Sequence, residues 1–343
     1  MKRHKICKII FAILAVFLCV AFYELIGICI TYKKQPAVSD ATIKETQNIM
    51  SVAGRENTER AVIIEKNSQA LLERVRLIQN AKDEIILSTF AFKSDESGKL
   101  ILGALHDAAD RGVHVRILVD GMESWIDMEG NPYFYGLSSH ENVEIKLYNK
   151  ANPLKPWKTM GRMHDKYLIA DGKIYILGGR NTYNYFLGDF PGHKNFDRDV
   201  LVVCDEPQKD NSVNQLWDYF ETIWEQEDCR YFHNSKKLAD RQSVKKAVLE
   251  LQEGYQQYFE VNKEKICDTD YADETFETEK IILLSNPIHT QAKEPVVWYQ
   301  LGELMKNAKE RVKIHTPYII CNDMMYNTCL LYTSPSPRDI SGY

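Results

Sequence analysis

Between Met163 and Asn181 the chain reads MHDKYLIADGKIYILGGRN, which sets His164, Lys166, Asp171, Gly178, Gly179 and Asn181 in the pattern H-x-K-x4-D-x6-G-G-x-N. An imidazole can act as nucleophile and as proton carrier near neutral pH. Lys166 supplies a fixed cation and the Asn181 amide a neutral donor. Such a trio suits phosphoryl chemistry, because both groups can stabilise charge on the non-bridging oxygens without a metal. The paired glycines let backbone and substrate approach closely. With each residue type used at about 5 to 7% of positions, a chance match at the other five positions is on the order of one in a million per histidine.

The same stretch specifies a hairpin. The apolar run from Tyr167 to Ala170 and the β-rich run from Ile174 to Leu177 flank Asp171-Gly172, a favoured two-residue turn. Strand alternation then puts His164 and Lys166 on one face. A loop after the second strand would return Asn181 toward them. The turn position gives Asp171 a complete structural role, against which direct catalysis competes.

This pattern resembles the HKD signature of the phospholipase D superfamily, and the bacterial cardiolipin synthase branch looks closest. The resemblance runs from about Ala61 to Tyr326. It implies that His164 is the nucleophile forming a phosphohistidine, or its acid-base counterpart, and that Lys166 and Asn181 hold the phosphate with Gly179 beside them. It also implies an acidic residue shortly after the motif that orients the histidine. Asp197 fits best and Asp199 second, although Arg198 between them could make both carboxylates part of a structural ion pair. The resemblance implies no metal and no organic cofactor. His193 lacks metal-site spacing and reads as surface or structural.

The elements around the motif read as alternating helix and strand. Ser68 to Ala81 has helical apolar spacing, Glu84 to Phe90 is a buried strand, Leu100 to Ala109 a helix, and Val113 to Val119 and Val143 to Tyr148 strands. After the motif, Asp197 to Val203 reads as a strand, with Val213 to Gln226 and Ser243 to Phe259 as amphipathic helices. The expected architecture is α/β: a phospholipase D-like lobe over 61–259, with a mixed β-sheet flanked by helices, followed by an acidic linker over 260–280. Lys155, Trp157, Lys158 and Arg162, just before the motif, suit lipid phosphates at a membrane interface; a solvated loop is the alternative. Tyr183, Tyr185, Phe186 and Phe190 would line an acyl cleft or simply fill core.

The N-terminus differs in kind. Lys2, Arg3, Lys5 and Lys8 precede an apolar run from Ile9 to Thr31 broken only by Glu24, so residues 1–31 read as a membrane anchor. A cleaved signal peptide competes, but no A-x-A-like site follows. The basic bias favours a single-pass, N-in orientation with the catalytic domain outside the cytoplasm. Residues 32–60 read as a polar tether or a weakly amphipathic stalk. The formal net charge of -5 shows no basic surplus of the kind nucleic-acid binders carry, so the expected partners are a phospholipid substrate and the membrane. Of the eight cysteines, Cys7, Cys19 and Cys29 belong to the anchor; Cys204, Cys229, Cys267, Cys321 and Cys329 show no C-x-x-C pair or zinc spacing and read as buried thiols, with a disulfide between two of them open.

An internal repeat organises the rest. LIQNAKDEIILST at Leu77 to Thr89 matches LMKNAKERVKIHT at Leu304 to Thr316, with Asn80-Ala81-Lys82 against Asn307-Ala308-Lys309, an offset of 307 minus 80, or 227. A second lobe with the same helix-then-strand unit is therefore expected over 281–327. The same offset places a second catalytic histidine near position 391, while the sequence ends at Tyr343 and holds no other H-x-K. The segment 328–343 resembles translated adapter sequence, and the expectation is a fragment of a two-motif phosphatidyltransferase. Two other classes stand beside it. One is a single-motif phosphodiesterase or nuclease completed by homodimerisation; the other is a membrane-bound binding module without turnover.

Overall fold

A computed structural model describes residues 2–51, 59–152, 154–314 and 326. In chain order the elements are α1 (Lys2–Tyr32), α2 (Asp40–Ser51), β1 (Arg60–Ile64), α3 (Asn67–Asn80), β2 (Glu84–Thr89), α4 (Glu96–Asp110), β3 (His114–Asp120), α5 (Gly121–Asp127), α6 (Pro132–Ser138) and β4 (Val143–Tyr148). There follow β5 (Tyr167–Ala170), β6 (Ile174–Gly178), β7 (Asp199–Val203), α7 (Ser212–Trp224), β8 (Cys229–Tyr231), α8 (Lys236–Ala239), α9 (Gln242–Ile266), β9 (Phe276–Glu277) and α10 (Val296–Asn307). The strands form one mixed sheet in the order β8-β4-β3-β2-β5-β6-β7-β1-β9. β2, β3 and β4 are parallel, as their helical crossovers require, and the hairpin strands β5 and β6 run antiparallel to their neighbours.

Alternation along each strand divides the interior in two. Ile85, Leu87, Val115, Ile117, Val119, Leu168 and Ala170 join the core beneath α3, α4, α6 and α9. Ile86, Leu118, Tyr167 and Ile169 face the second core with Leu216, Phe220 and Trp224 of α7. The expected mixed sheet flanked by helices is what the chain forms.

Several boundaries differ from the sequence reading, each for a tertiary reason. The tether contains α2, which packs on α10 and whose Thr42 Oγ1 donates to Glu294 Oε1 at 2.6 Å. β1 starts at Arg60 and pairs with β7 and β9. The acidic stretch is no solvated linker: α9 runs on to Ile266, Tyr271 is buried, and Arg76 of α3 collects the Asp268 carbonyl and the Glu274 carboxylate. These acidic residues neutralise a buried guanidinium.

In the repeat, α10 ends at Asn307 as α3 ends at Asn80, and the following alanine is extended in both, with its N–H bonded to the helix's last turn. The matching strand does not form over 311–314, and residues 315–325 lie outside the described residues. A strand needs neighbours to satisfy its backbone, and among the described residues no counterpart of β3 or β5 follows α10. Cys7, Cys19, Cys29, Cys204, Cys229 and Cys267 are free thiols, which removes the disulfide for these six.

Candidate active site

The hairpin forms as its turn residues dictate. Asp171 and Gly172 both take positive φ, 52° and 61°, and Lys173 N donates to the Ala170 carbonyl at 3.0 Å. β5 pairs antiparallel with β2, so the start of β5 and the end of β6 lie at the same edge of the sheet as the C-terminal ends of β2 and β3. Ligands gather at this edge in open α/β sheets.

His164 and Lys166 stand just before β5, and both meet Phe90, the residue after β2. The His164 ring lies edge-on to Phe90 at 4.5 Å between centroids, and Lys166 Nζ sits 5.2 Å from the Phe90 ring centre. Asn181 is brought back as expected: its Oδ1 accepts from Ala91 N at 3.2 Å, which leaves Nδ2 as the donor. The dipeptide Phe90-Ala91 therefore gathers the three motif groups. Lys166 is 6% exposed and gives one of its three protons to the His164 carbonyl at 2.6 Å. Burial lowers its pKa to about 8, against the pull of Asp165, Asp197 and Asp120. The His164 imidazole, open to solvent on one side, is held below the usual histidine range by desolvation first and then by Lys166 and Arg162, with Asp120 opposing. At neutral pH the site thus holds an uncharged imidazole beside a buried ammonium, the states needed to attack and to bind a phosphodiester.

The other motif residues hold structure. Asp171 does not reach the site: it sits at the far end of β5, its carboxylate accepting from the backbone N–H groups of Lys82, Asp83 and Glu84. Direct catalysis by Asp171 does not fit this placement. Asp197 lies over Gly179, where an added Cβ would come within 2.0 Å of its Oδ2. It accepts from Arg198 N at 2.7 Å, and no hydrogen bond joins it to His164. The buried Arg180 staples this loop, donating to Asn67 Oδ1 and to the carbonyls of Ile64, Glu65 and Asp197. Asp199 is fully buried between Arg74 and Arg180, with Oδ2 at 2.9 and 3.2 Å from their nitrogens, a structural cluster.

Two contributors escaped the sequence reading, Phe90 and Asp120, and Arg162 takes a different role from the one expected of it. Asp120, the last residue of β3, caps α5 through Met122 N, binds Arg162 Nε and Nη2, and accepts from Met163 N. It is the carboxylate whose charge acts on His164. Arg162 is accordingly no free cation for lipid, and Lys158 is paired with Asp228. A D-G step followed by an acidic residue is a legible cap signal for Asp120, but its bond to Arg162, 42 residues on, has no local signature. Tyr183, Tyr185 and Phe186 pack against one another, Tyr183 and Phe186 edge-to-face, and Phe186 and Phe190 pack against the larger core.

Residues 75–224 match the family model of the cardiolipin synthase, PLD-like domain. That stretch is a phospholipase D-like domain of the cardiolipin synthase type. The chain is 29% identical over 154 residues to cardiolipin synthase C of Escherichia coli, covering 41% of this chain and 31% of that protein. It is 35% identical over 112 residues to cardiolipin synthase 1 of Staphylococcus aureus, covering 32% and 22%. An uncharacterized Helicobacter pylori protein is 27% identical over 292 residues, covering 77% of this chain and 55% of that one. The chain thus spans about half, or less, of the length of these curated relatives. Among solved structures, phosphatidylserine synthase of Haemophilus influenzae aligns with 14% identity and a TM-score of 0.44, covering 64% of this chain and 48% of that one. That likeness is too slight to bear on function.

Proposed function

We propose that this phospholipase D-like chain supplies one half-site for phosphodiester transfer or hydrolysis on phospholipids, most simply as in a cardiolipin synthase. His164 attacks phosphorus, the new N–P bond replaces the bond to the departing alcohol, and a second alcohol or water later releases the phosphatidyl group. Lys166 and Asn181 Nδ2 hold the non-bridging oxygens, with Gly179 leaving room. The observation that carries this reading is the convergence of His164, Lys166 and Asn181 on Phe90-Ala91. An uncharged imidazole beside a buried cation supports it further. Protonation of a poor leaving group falls to an acid that no described residue at the site supplies, which is where a second copy of the motif would act.

The test avoids that second group. A phosphodiester with a p-nitrophenyl ester releases a stable phenolate without protonation, so His164 alone can accept the phosphoryl group. Rapid alkaline quench and mass spectrometry should find the added mass on the His164 peptide and lose it in His164→Ala. Label on another residue, or p-nitrophenolate release unchanged in His164→Ala, would overturn the assignment.

A further inference from the structure

Residues 149–152 and 154–162 lead into His164, and the loop they form is built rather than slack. Asn149, at φ 50°, uses Nδ2 to bond the carbonyls of Lys158 and Gly161 at 2.6 and 2.8 Å, and Lys158 is tied to Asp228. Yet this ordered loop presents Leu154 at 77% and Met160 at 58% exposure, with Lys155 exposed between them. What lies beside it is α1. The 3-10 turn Pro156–Lys158 packs on that helix, and Tyr23 donates its hydroxyl to the Leu154 carbonyl at 3.3 Å. Farther along α1, Tyr32 donates to the Thr290 carbonyl at 2.8 Å, and Gly161 abuts Thr290 so closely that a Cβ there would come within 2.6 Å of its Cα.

The level of that contact can be read from the helix. Ile6–Tyr32 is 27 residues long; its most apolar 18-residue stretch has a mean hydropathy of 2.7, and none of that stretch is buried within the protein. About 20 residues cross a hydrocarbon core of ~30 Å. Counted from Ile6 the crossing is complete at Leu25, and counted from Ile9, after Lys8, at Ile28. Either way Tyr23 lies within about 8 Å of the outer boundary, since each residue rises ~1.5 Å. Tyrosine favours that boundary, and Glu24 beside it is tolerated there and not deeper. Tyr32 then stands roughly 13 Å beyond Tyr23, outside the lipid core.

We infer that the loop before His164 rests in the headgroup layer of the bilayer beside α1, with Leu154 and Met160 in the acyl boundary, so that the segment entering His164 touches lipid directly. The exposed leucine and methionine are costly in water and favourable there. Lys155 between them would meet lipid phosphates. The adjoining α5, joined to this loop by Arg162 contacts with Met122 and Glu123, adds the exposed Trp125 and Ile126. The inference rests on α1 spanning a membrane and not on turnover at His164.

The experiment uses the full chain in vesicles of phosphatidylcholine and phosphatidylglycerol whose acyl chains carry bromine near the headgroup end. Leu154→Trp and Met160→Trp each place a probe at an exposed position, and Leu249→Trp places one on α9, where Leu249 is 58% exposed. After subtraction of the parent emission, the 154 and 160 probes should be quenched several-fold more than the 249 probe. Two loop positions are used so that a misfolded variant at one leaves the other to decide. Equal, weak quenching at all three positions would overturn the inference, whether or not the chain turns over phosphodiesters.

Discussion

Replacing Lys166 by methionine should make the protein more stable while removing its capacity to bind phosphate. The ammonium is buried at the edge of the sheet, and desolvation brings its pKa from 10.5 to about 8. At about 1.4 kcal/mol per pH unit, that fall means the charged lysine destabilises the fold by roughly 3 kcal/mol at pH 7. Methionine removes the charge and most of the cost. It also removes the hydrogen bond from Nζ to the His164 carbonyl, worth about 1 kcal/mol. The expected net gain at pH 7 is about 2 kcal/mol, or roughly 4 to 8 °C in Tm for a domain of this size.

The sign with pH follows from linkage. Between pH 8 and 10.5 the unfolded chain keeps a proton on Lys166 that the folded chain has lost, so wild-type stability rises with pH through that window. Thermal unfolding in detergent micelles, followed by near-ultraviolet circular dichroism, should show Lys166→Met above wild type at pH 7. The gap should close to within about 1 kcal/mol at pH 10, as the wild type sheds its buried charge. A variant that is less stable at pH 7, with a gap that does not change with pH, would refute the claim that the site holds a desolvated ammonium. Phosphoryl capture in the wild type should decline above pH 8 for the same reason. Its acid limb should fall below the ordinary imidazole range, because His164 resists protonation.

Asp171→Asn keeps a residue that tolerates positive φ but surrenders the charge that gathers three backbone amides, so it should cost about 1 to 3 kcal/mol. Its initial rate of phosphoryl capture per folded molecule should be unchanged; a loss of rate without a loss of stability would return Asp171 to the chemistry. The two motif glycines should separate. An added Cβ lands 2.0 Å from Asp199 Oδ1 at Gly178 and 2.0 Å from Asp197 Oδ2 at Gly179. Asp199 is fully buried and fixed between two arginines, whereas Asp197 is partly exposed and can swing away. Gly178→Ala should therefore lower Tm by the equivalent of about 1 to 3 kcal/mol, and Gly179→Ala by clearly less. Equal losses would mean that both carboxylates are held alike.

How far these features were legible in the sequence depends on whether their cause is local. α3, β2, α4, β3 and β4 follow from periodicity, because each buries one face against its sequence neighbours. The Asp171-Gly172 hairpin follows from turn chemistry, and the trio of His164, Lys166 and Asn181 from spacing. β1 was hidden in a polar context, since its register comes from β7, some 140 residues later. The acidic stretch looked solvated because its partner, Arg76, lies on a helix nearly 200 residues earlier. Asp197 looked like the histidine's carboxylate because order along the chain favours it. Asp120 takes that field instead, because β3 delivers it to the same sheet edge.

The same alternation that aims His164 and Lys166 at Phe90 must aim the residue between them the other way, and Asp165 does point away. It accepts the Tyr219 hydroxyl of α7 at 2.7 Å, and burial raises its pKa. Lys293, itself desolvated, contributes the compensating charge to this carboxylate from the segment that leads into α10. That segment also carries Thr290, which touches Gly161 on one side and the end of α1 on the other. The motif is thus gripped from in front by the β2 end and from behind by α7 and residues 290–293. A change in the docking of α1 or in the start of the repeated unit would reach His164 through Gly161 and Asp165, without any contact to the substrate. The geometry around His164 is therefore a property of α1 and of the segment leading into α10 as much as of the sheet that carries the motif.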